Sequence, residues 1–151
     1  MTNVHHLQDR NDIVETVDAV FDTVDAKDWT AARALFADDV DVDFSSLGGG
    51  PPARVTADQL VAGWVAGLHA RKRSWHLISH YRVQITSDIA TVGVKGYALN
   101  RLDEELGGGI WEVWGTYALT LRRADDRWLV TRFCFDAQIT RGDDAVRTHS
   151  L

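Results

Sequence analysis

The stretch WEVWGTYALTLRRADDRWLVTRFCFDAQIT, residues 111–140, reads as two long strands joined by a tight turn. Trp111 to Arg123 and Trp128 to Thr140 are rich in the β-branched and aromatic residues that suit a pleated, half-buried surface. Asp125-Asp126 between them has turn chemistry. Strands joined by so short a link run antiparallel, because a parallel return needs a long crossover. The pattern continues upstream. His76 to Thr86 and Ala90 to Asn100 are two more strands around the turn Ser87-Asp88, and a loop holding Gly107-Gly108-Gly109 leads on to Trp111. The C-terminal half is therefore a four-strand meander.

The N-terminal half reads differently. Residues 1–11 form a loose polar arm with no apolar run, so they are not a signal peptide. A helix is expected from Asp12, where Asp12 and Glu15 fit a capping box. Ile13, Val14, Val17, Val20, Phe21 and Val24 follow at helical spacing and make one apolar stripe, with Asp25 at its flank on the side of Val14 and Phe21. Asp28 is a plausible N-cap for a short helix through Ala31, Ala32, Leu35 and Phe36. Val40, Val42 and Phe44 alternate with Asp39, Asp41 and Asp43 as in a strand. After the loop Gly48-Gly49-Gly50-Pro51-Pro52, Thr56 and Gln59 form a second capping box, and Leu60, Val61, Trp64, Val65 and Leu68 make a third amphipathic helix. Helices gathered on one side of an antiparallel sheet give an α+β layout. The expected organisation is an arm at 1–11, one domain over 12–142 and a flexible tail at 143–151.

Bulk properties narrow the function. A chain of 151 residues that is 45% hydrophobic can bury a real core as one domain. Its net charge of −6 disfavours phosphate backbones, so nucleic acid is set aside as a partner. No apolar stretch approaches a membrane span, and no basic amphipathic helix favours a membrane surface. Cys134 is the only cysteine, which excludes an intrachain disulfide and fits a reducing cytoplasm. Six tryptophans suggest pocket walls or an interface as well as core.

Several conspicuous features have plain readings. Neither glycine triplet has the residues of a P-loop or a dinucleotide fingerprint, so both are turns. His5-His6 lies in the arm, and His69 and His149 have no nominated partner. Asp38, Asp39, Asp41 and Asp43 read as the wet face of an edge strand rather than a cation site. Cys134 reads as a small buried hydrophobe, and Ser45-Ser46 lacks the elbow of a serine hydrolase. His76 and His80 fall on one strand face with Ile78.

The order of segments Val24-Asp25-Ala26-Lys27-Asp28-Trp29, Leu35-Phe36-Ala37-Asp38-Asp39-Val40, Val42-Asp43-Phe44-Ser45-Ser46-Leu47 and Ser74-Trp75-His76-Leu77-Ile78 resembles the SnoaL-like family of the nuclear transport factor two-like superfamily. The branch it most resembles includes scytalone dehydratase. Gly115-Thr116-Tyr117 and Asp126-Arg127-Trp128-Leu129-Val130 fit as well, so the likeness runs from about Asn11 to Gly142. The resemblance implies a cone-like, strongly curved antiparallel sheet closed by three N-terminal helices. It also implies that Asp25 and His76 form a catalytic dyad. There a buried carboxylate orients the imidazole, and His76 moves a proton as general acid and base. No metal or organic cofactor is required for that chemistry. The chain departs from scytalone dehydratase at Val24 and Phe44, where that enzyme has tyrosines, and at Asn100, where it has a second histidine.

The expected activity is a cofactor-independent lyase of dehydratase type, acting on a hydrophobic cyclic or polyketide-like small molecule. An isomerase or cyclase using the same dyad, and a non-catalytic binding or assembly module, are the alternatives. Phe21, Phe44, Trp64 and Trp111 are candidates for the apolar wall. Tyr97, Asn100, Tyr117 and Arg132 are candidates for polar contacts to substrate. The resemblance further implies a homodimer joined through the exposed sheet face.

Overall fold

The computed structural model describes residues 4–151. Four helices and six strands follow in the order α1 (Val4–Ala26), α2 (Trp29–Ala34), β1 (Phe36–Asp43), β2 (Ala53–Thr56), α3 (Ala57–Gly67), β3 (Lys72–Thr86), β4 (Ile89–Leu102), β5 (Ile110–Ala124), β6 (Arg127–Gly142) and α4 (Asp144–Thr148). A 3-10 turn at Ser45–Leu47 joins β1 to β2. The strands form one curved sheet in the order β2-β1-β6-β5-β4-β3. The meander β3 to β6 is antiparallel throughout, as its short turns require. Ser87 and Asp125, at the two hairpin tips, hold the positive φ that such turns demand. β1 joins the sheet parallel to β6, the one parallel pairing among the described residues, and the chain between them passes through β2, α3 and the strands β3 to β5.

The apolar stripe of α1 is buried as its spacing predicts, through Ile13, Val17, Val20, Phe21 and Val24. It lies on the inner face of the sheet, where alternate residues of β4 (Ala90 to Leu102) and β5 (Trp111 to Leu121) complete the core. The capping box of Thr56 and Gln59 forms with both hydrogen bonds, and Asp28 caps α2. None of the helices among the described residues is long and apolar enough to cross a membrane.

Four expectations are corrected. First, α1 begins by Val4, not at Asp12, so residues 4–11 are helix and not a loose arm. Asp12 is an interior residue that accepts a hydrogen bond from Gln8. The early turns carry no apolar stripe, but Arg123 grips both oxygens of Asp9 at 2.8 and 2.7 Å, a contact between residues 114 apart in sequence. Second, Phe36 opens β1 instead of closing α2, and β1 is an interior strand because the four-residue β2 covers its edge. Third, the segment expected as a tail forms α4, with Val146 1% exposed. Fourth, Cys134 is half-buried, on the side of β6 opposite the inward Phe133 and Phe135.

Candidate active site

The inner face of the sheet and the helices enclose a cavity of about 270 Å³, near the small end of the range for ligand sites. Its lining is mostly apolar and rich in aromatic rings. Phe133 sits at the hub, with ring centroids within about 6 Å of Phe21, Phe36, Phe44, Trp64 and Tyr117. Two glycines make room for this arrangement. A Cβ on Gly96 would stand 2.4 Å from Cε2 of Tyr117, and one on Gly115 would stand 2.8 Å from the Phe135 ring. The Tyr117 and Phe135 rings therefore lie directly over bare backbone.

Asp25 ends the apolar stripe of α1, and Ser74 and His76 are inward residues of β3. The Asp25 carboxylate accepts three hydrogen bonds from this strand. His76 Nδ1 lies 2.7 Å from Oδ1, Ser74 Oγ donates to the same oxygen at 2.7 Å, and the His76 amide donates to Oδ2 at 2.8 Å. Burial, the largest single influence, pushes the carboxyl upward. The His76 hydrogen bond and charge, then Ser74 and the His76 amide, outweigh it and hold Asp25 below its ordinary value. Asp25 is therefore an ion and a pure acceptor, so His76 Nδ1 carries its proton and Nε2 is left for the cavity, which the ring lines.

Two further polar groups face this apolar space. Asn100 is 9% exposed and Tyr117 is 6% exposed, and neither side chain has a hydrogen-bond partner among the described residues. Burial, and then the Asp25 charge, push the Tyr117 phenol above its ordinary value, so it remains a neutral donor. The polar atoms of Asn100 and Tyr117 open on the cavity and are free to hydrogen-bond with whatever fills it. Together with His76 Nε2, these groups place three hydrogen-bonding functions in an otherwise apolar cavity. Among the described residues, no three of His, Cys, Asp and Glu converge as a metal site would require.

Of the ten candidates read from sequence, eight are gathered here: Asp25 and His76, with Phe21, Phe44, Trp64, Asn100, Trp111 and Tyr117 lining the cavity. Two are corrected. Tyr97 points to the outer face, where its hydroxyl donates to Glu112 at 2.7 Å. Tyr97 and Asn100 are three apart on one regular strand, so they cannot share a face. Arg132 is exposed on the outer side near Asp41 and Asp43. In β6 the register shifts where Leu121 and Thr120 meet Val130 and Arg132, leaving Thr131 as the extra residue. Inward positions therefore run Trp128, Val130, then Phe133, Phe135. The same device moves His80 away from His76. A bulge between Ser79 and Arg82, with His80 at φ +60°, leaves His80 exposed.

Sequence reasoning missed Phe133, Phe135 and Ser74, and it missed Arg147, which reaches the cavity from α4. The Arg-Phe-Cys-Phe pattern was the available signal for the two phenylalanines. Nothing local announces Arg147.

The SnoaL-like domain family's sequence profile matches residues 5–133. No curated protein sequence matches the chain significantly. Among solved structures, the Kfla4162 protein from Kribbella flavida is 28% identical with a TM-score of 0.85, covering 90% of this chain and 95% of its own. A protein provisionally named scytalone dehydratase from Novosphingobium aromaticivorans is 20% identical, with a TM-score of 0.78 over 97% of this chain and 91% of its own. A type 3 hexachlorocyclohexane dehydrochlorinase from Novosphingobium barchaimii is 15% identical, with a TM-score of 0.75 over 99% of this chain and 100% of its own.

Proposed function

Because the chain belongs to the SnoaL-like domain family, whose profile spans most of it, we propose that it is a cofactor-independent lyase of dehydratase type acting on a small hydrophobic cyclic or polyketide-like molecule. The observation that carries this reading is the Asp25–His76 pair at the wall of an aromatic cavity that also holds two unpartnered polar side chains. In the proposed reaction Asn100 and Tyr117 hold a substrate oxygen. His76 Nε2 removes a proton from the carbon beside that group, and the bond electrons form the new carbon–carbon double bond. The hydroxyl on the neighbouring carbon leaves, taking the proton from Nε2, so one water is released and the ring returns to neutral. Asp25 stabilises the imidazolium while it exists, and the apolar side chains around the pair strengthen that interaction. The dehydratase and dehydrochlorinase names carried by structural neighbours support an elimination. Under an isomerase or cyclase the same dyad would return the proton to carbon, and product mass would be unchanged.

The test is a panel of cyclic β-hydroxy ketones and related alcohols, with products weighed by mass spectrometry. Loss of 18 mass units, and a fall of about 10²–10⁴-fold in His76→Ala, is expected. Full turnover by His76→Ala removes the mechanism. Saturable binding with no conversion across the panel points to a binding module instead.

We also infer a homodimer. On the outer face Leu77, Tyr97, Trp114 and Ile139 lie in one register row across four strands, beside Trp75 and Leu99 in the next. Trp75, Leu77 and Ile139 are 64, 57 and 62% exposed, an apolar band that a second copy of the same face would cover.

A further inference from the structure

Among the described residues that line the cavity, Arg147 is the one permanent cation. Its position is held from several sides. Val146 beside it is 1% exposed and anchors α4 in the core. Lys72 donates to the Arg147 carbonyl at 3.0 Å, and His149, just past α4, meets the buried His69 with Nδ1 and Nε2 3.0 Å apart. The guanidinium itself stands 5.7 Å from the Trp111 ring, and its Nη1 donates to the Leu47 carbonyl at 2.9 Å. A long side chain is thereby fixed before any ligand arrives, so little ordering entropy remains to be lost on binding. We propose that Arg147 is the specificity determinant of the cavity, and that it selects substrates bearing a carboxylate about one ring away from the carbon that His76 deprotonates. This rests on the reading of the cavity as the site of a lyase.

The guanidinium has capacity left for such a group. Asp144 accepts from Nε at 2.8 Å and from Nη2 at 3.1 Å, and Leu47 takes one N–H of Nη1. Each terminal nitrogen of a guanidinium carries a pair of N–H groups, so one on Nη1 and one on Nη2 remain without a partner among the described residues. Asp144 is 69% exposed and occupies the solvent side, whereas Arg147 is 30% exposed and lines the cavity. A carboxylate accepts from both terminal nitrogens at once, which a neutral carbonyl or hydroxyl does not match. A second cation stands behind the first. Lys72, 1% exposed, donates to the carbonyls of Gly67 and Arg147, both at 3.0 Å. Burial first, then the charges of Lys27 and Arg147, push its ammonium below the ordinary 10.5, and no anion among the described residues opposes them. A buried ammonium without a counter-ion makes this end of the cavity more favourable to an incoming anion.

Strand register sets the spacing. Asn100 pairs with Trp111, the residue whose ring faces Arg147, and His76 pairs with Ala98, the next inward residue of β4. Two residues along a strand span about 7 Å. A carboxylate held by Arg147 therefore lies at the Trp111 end, and the ring that bears it reaches the row of His76, Ala98 and Val113 where Nε2 works. The negative charge of Asp25 does not stand in the way, because its Oδ1 lies behind the imidazole on Nδ1.

The test is isothermal titration calorimetry of the full chain at pH 7.5 with 2-naphthoate and with 2-naphthamide, one ring system with and without the charge. Wild type is expected to bind the acid at least about tenfold more tightly than the amide. Arg147→Met, which keeps an apolar stem beside Trp111, should bring the two probes within about threefold of each other by weakening the acid alone. Asp144→Asn, which removes the carboxylate already on the guanidinium, should tighten the acid about threefold or more and leave the amide unchanged. Equal affinity for the two probes in wild type, or a preference that survives in Arg147→Met, overturns the proposal. If Arg147→Met loses both probes because α4 detaches, Asp144→Asn decides: a tighter acid supports the proposal, and an unmoved preference makes Arg147 a strut for α4 and overturns it. Wild type that binds both probes equally keeps the cavity as a ligand site and loses only the carboxylate. Wild type that binds neither defeats the ligand-site reading, and the carboxylate with it.

Discussion

His76 engages both oxygens of the Asp25 carboxylate, its ring at Oδ1 and its backbone amide at Oδ2. The strand that carries the imidazole therefore also fixes the plane of the carboxylate that orients it. Asp25→Asn preserves the shape but places an amide where three donors converge, and it removes the charge that stabilises an imidazolium. Turnover of a converted substrate is expected to fall by about 10³–10⁴-fold with the fold intact, read by steady-state kinetics beside circular dichroism. Activity within tenfold of wild type would show that the pair is structural only.

Ser74 donates to the same oxygen that His76 Nδ1 uses, and it helps hold Asp25 below its ordinary 3.8. A depressed carboxyl contributes stability that is complete above the unfolded value and is lost as pH falls through the folded one. Ser74→Ala should move the Asp25 titration upward, so acid unfolding begins at higher pH, and lower stability by about 1.5–3 kcal/mol near neutrality. Carboxyl NMR titration and acid denaturation measure both, and an unmoved titration would mean that the hydroxyl does not act on the carboxylate.

Gly96 offers a steric test of the aromatic wall. The Tyr117 ring above it is packed against Phe21 and Phe135 at centroid distances of 4.8 and 4.3 Å, so it has nowhere to retreat. Gly96→Ala is expected to cost about 1–3 kcal/mol in denaturant unfolding and to weaken ligand binding. Gly93→Ala on the same strand, where a Cβ meets nothing within 4 Å, is the control and should be far milder.

Tyr117→Phe removes the phenol without disturbing the rings. If the hydroxyl holds a substrate oxygen, kcat/KM should fall about tenfold or more while stability stays nearly level, because the hydroxyl opens on the cavity and has no protein hydrogen bond to lose. A loss of stability with unchanged kinetics would assign Tyr117 to the core alone.

Leu77 and Ile139 lie at the two ends of the outer register row. The double change Leu77→Lys with Ile139→Lys should convert a dimer to monomer by sedimentation at micromolar concentration, with the aromatic cavity unaffected. A wild-type protein that is already monomeric would dispose of the dimer.

Much of this molecule is legible in short windows of chain. The meander, the inward stripe of α1 and the Thr56–Gln59 cap follow from periods of 2 and 3.6 residues and from local capping, all of which a dozen neighbouring residues specify. Asp25 and His76 could be named because their segments resemble those of a known family.

What sequence alone determined was the α+β layout; the family resemblance supplied the pairing of Asp25 with His76, and six of the eight proposed wall or contact residues do line the cavity. Tertiary structure decided the rest, because each undecided point depended on a partner far along the chain. Arg132 and His80 turn outward at bulges, where one extra residue inverts the face of everything that follows. The first turns of α1 are anchored at Asp9 by Arg123, and α4 by Lys72 and Leu47. A period shows which residues share a face only while the strand stays regular. Which polar termini fold, and which histidines meet, is set by charges and carbonyls that only the folded chain brings within hydrogen-bonding distance.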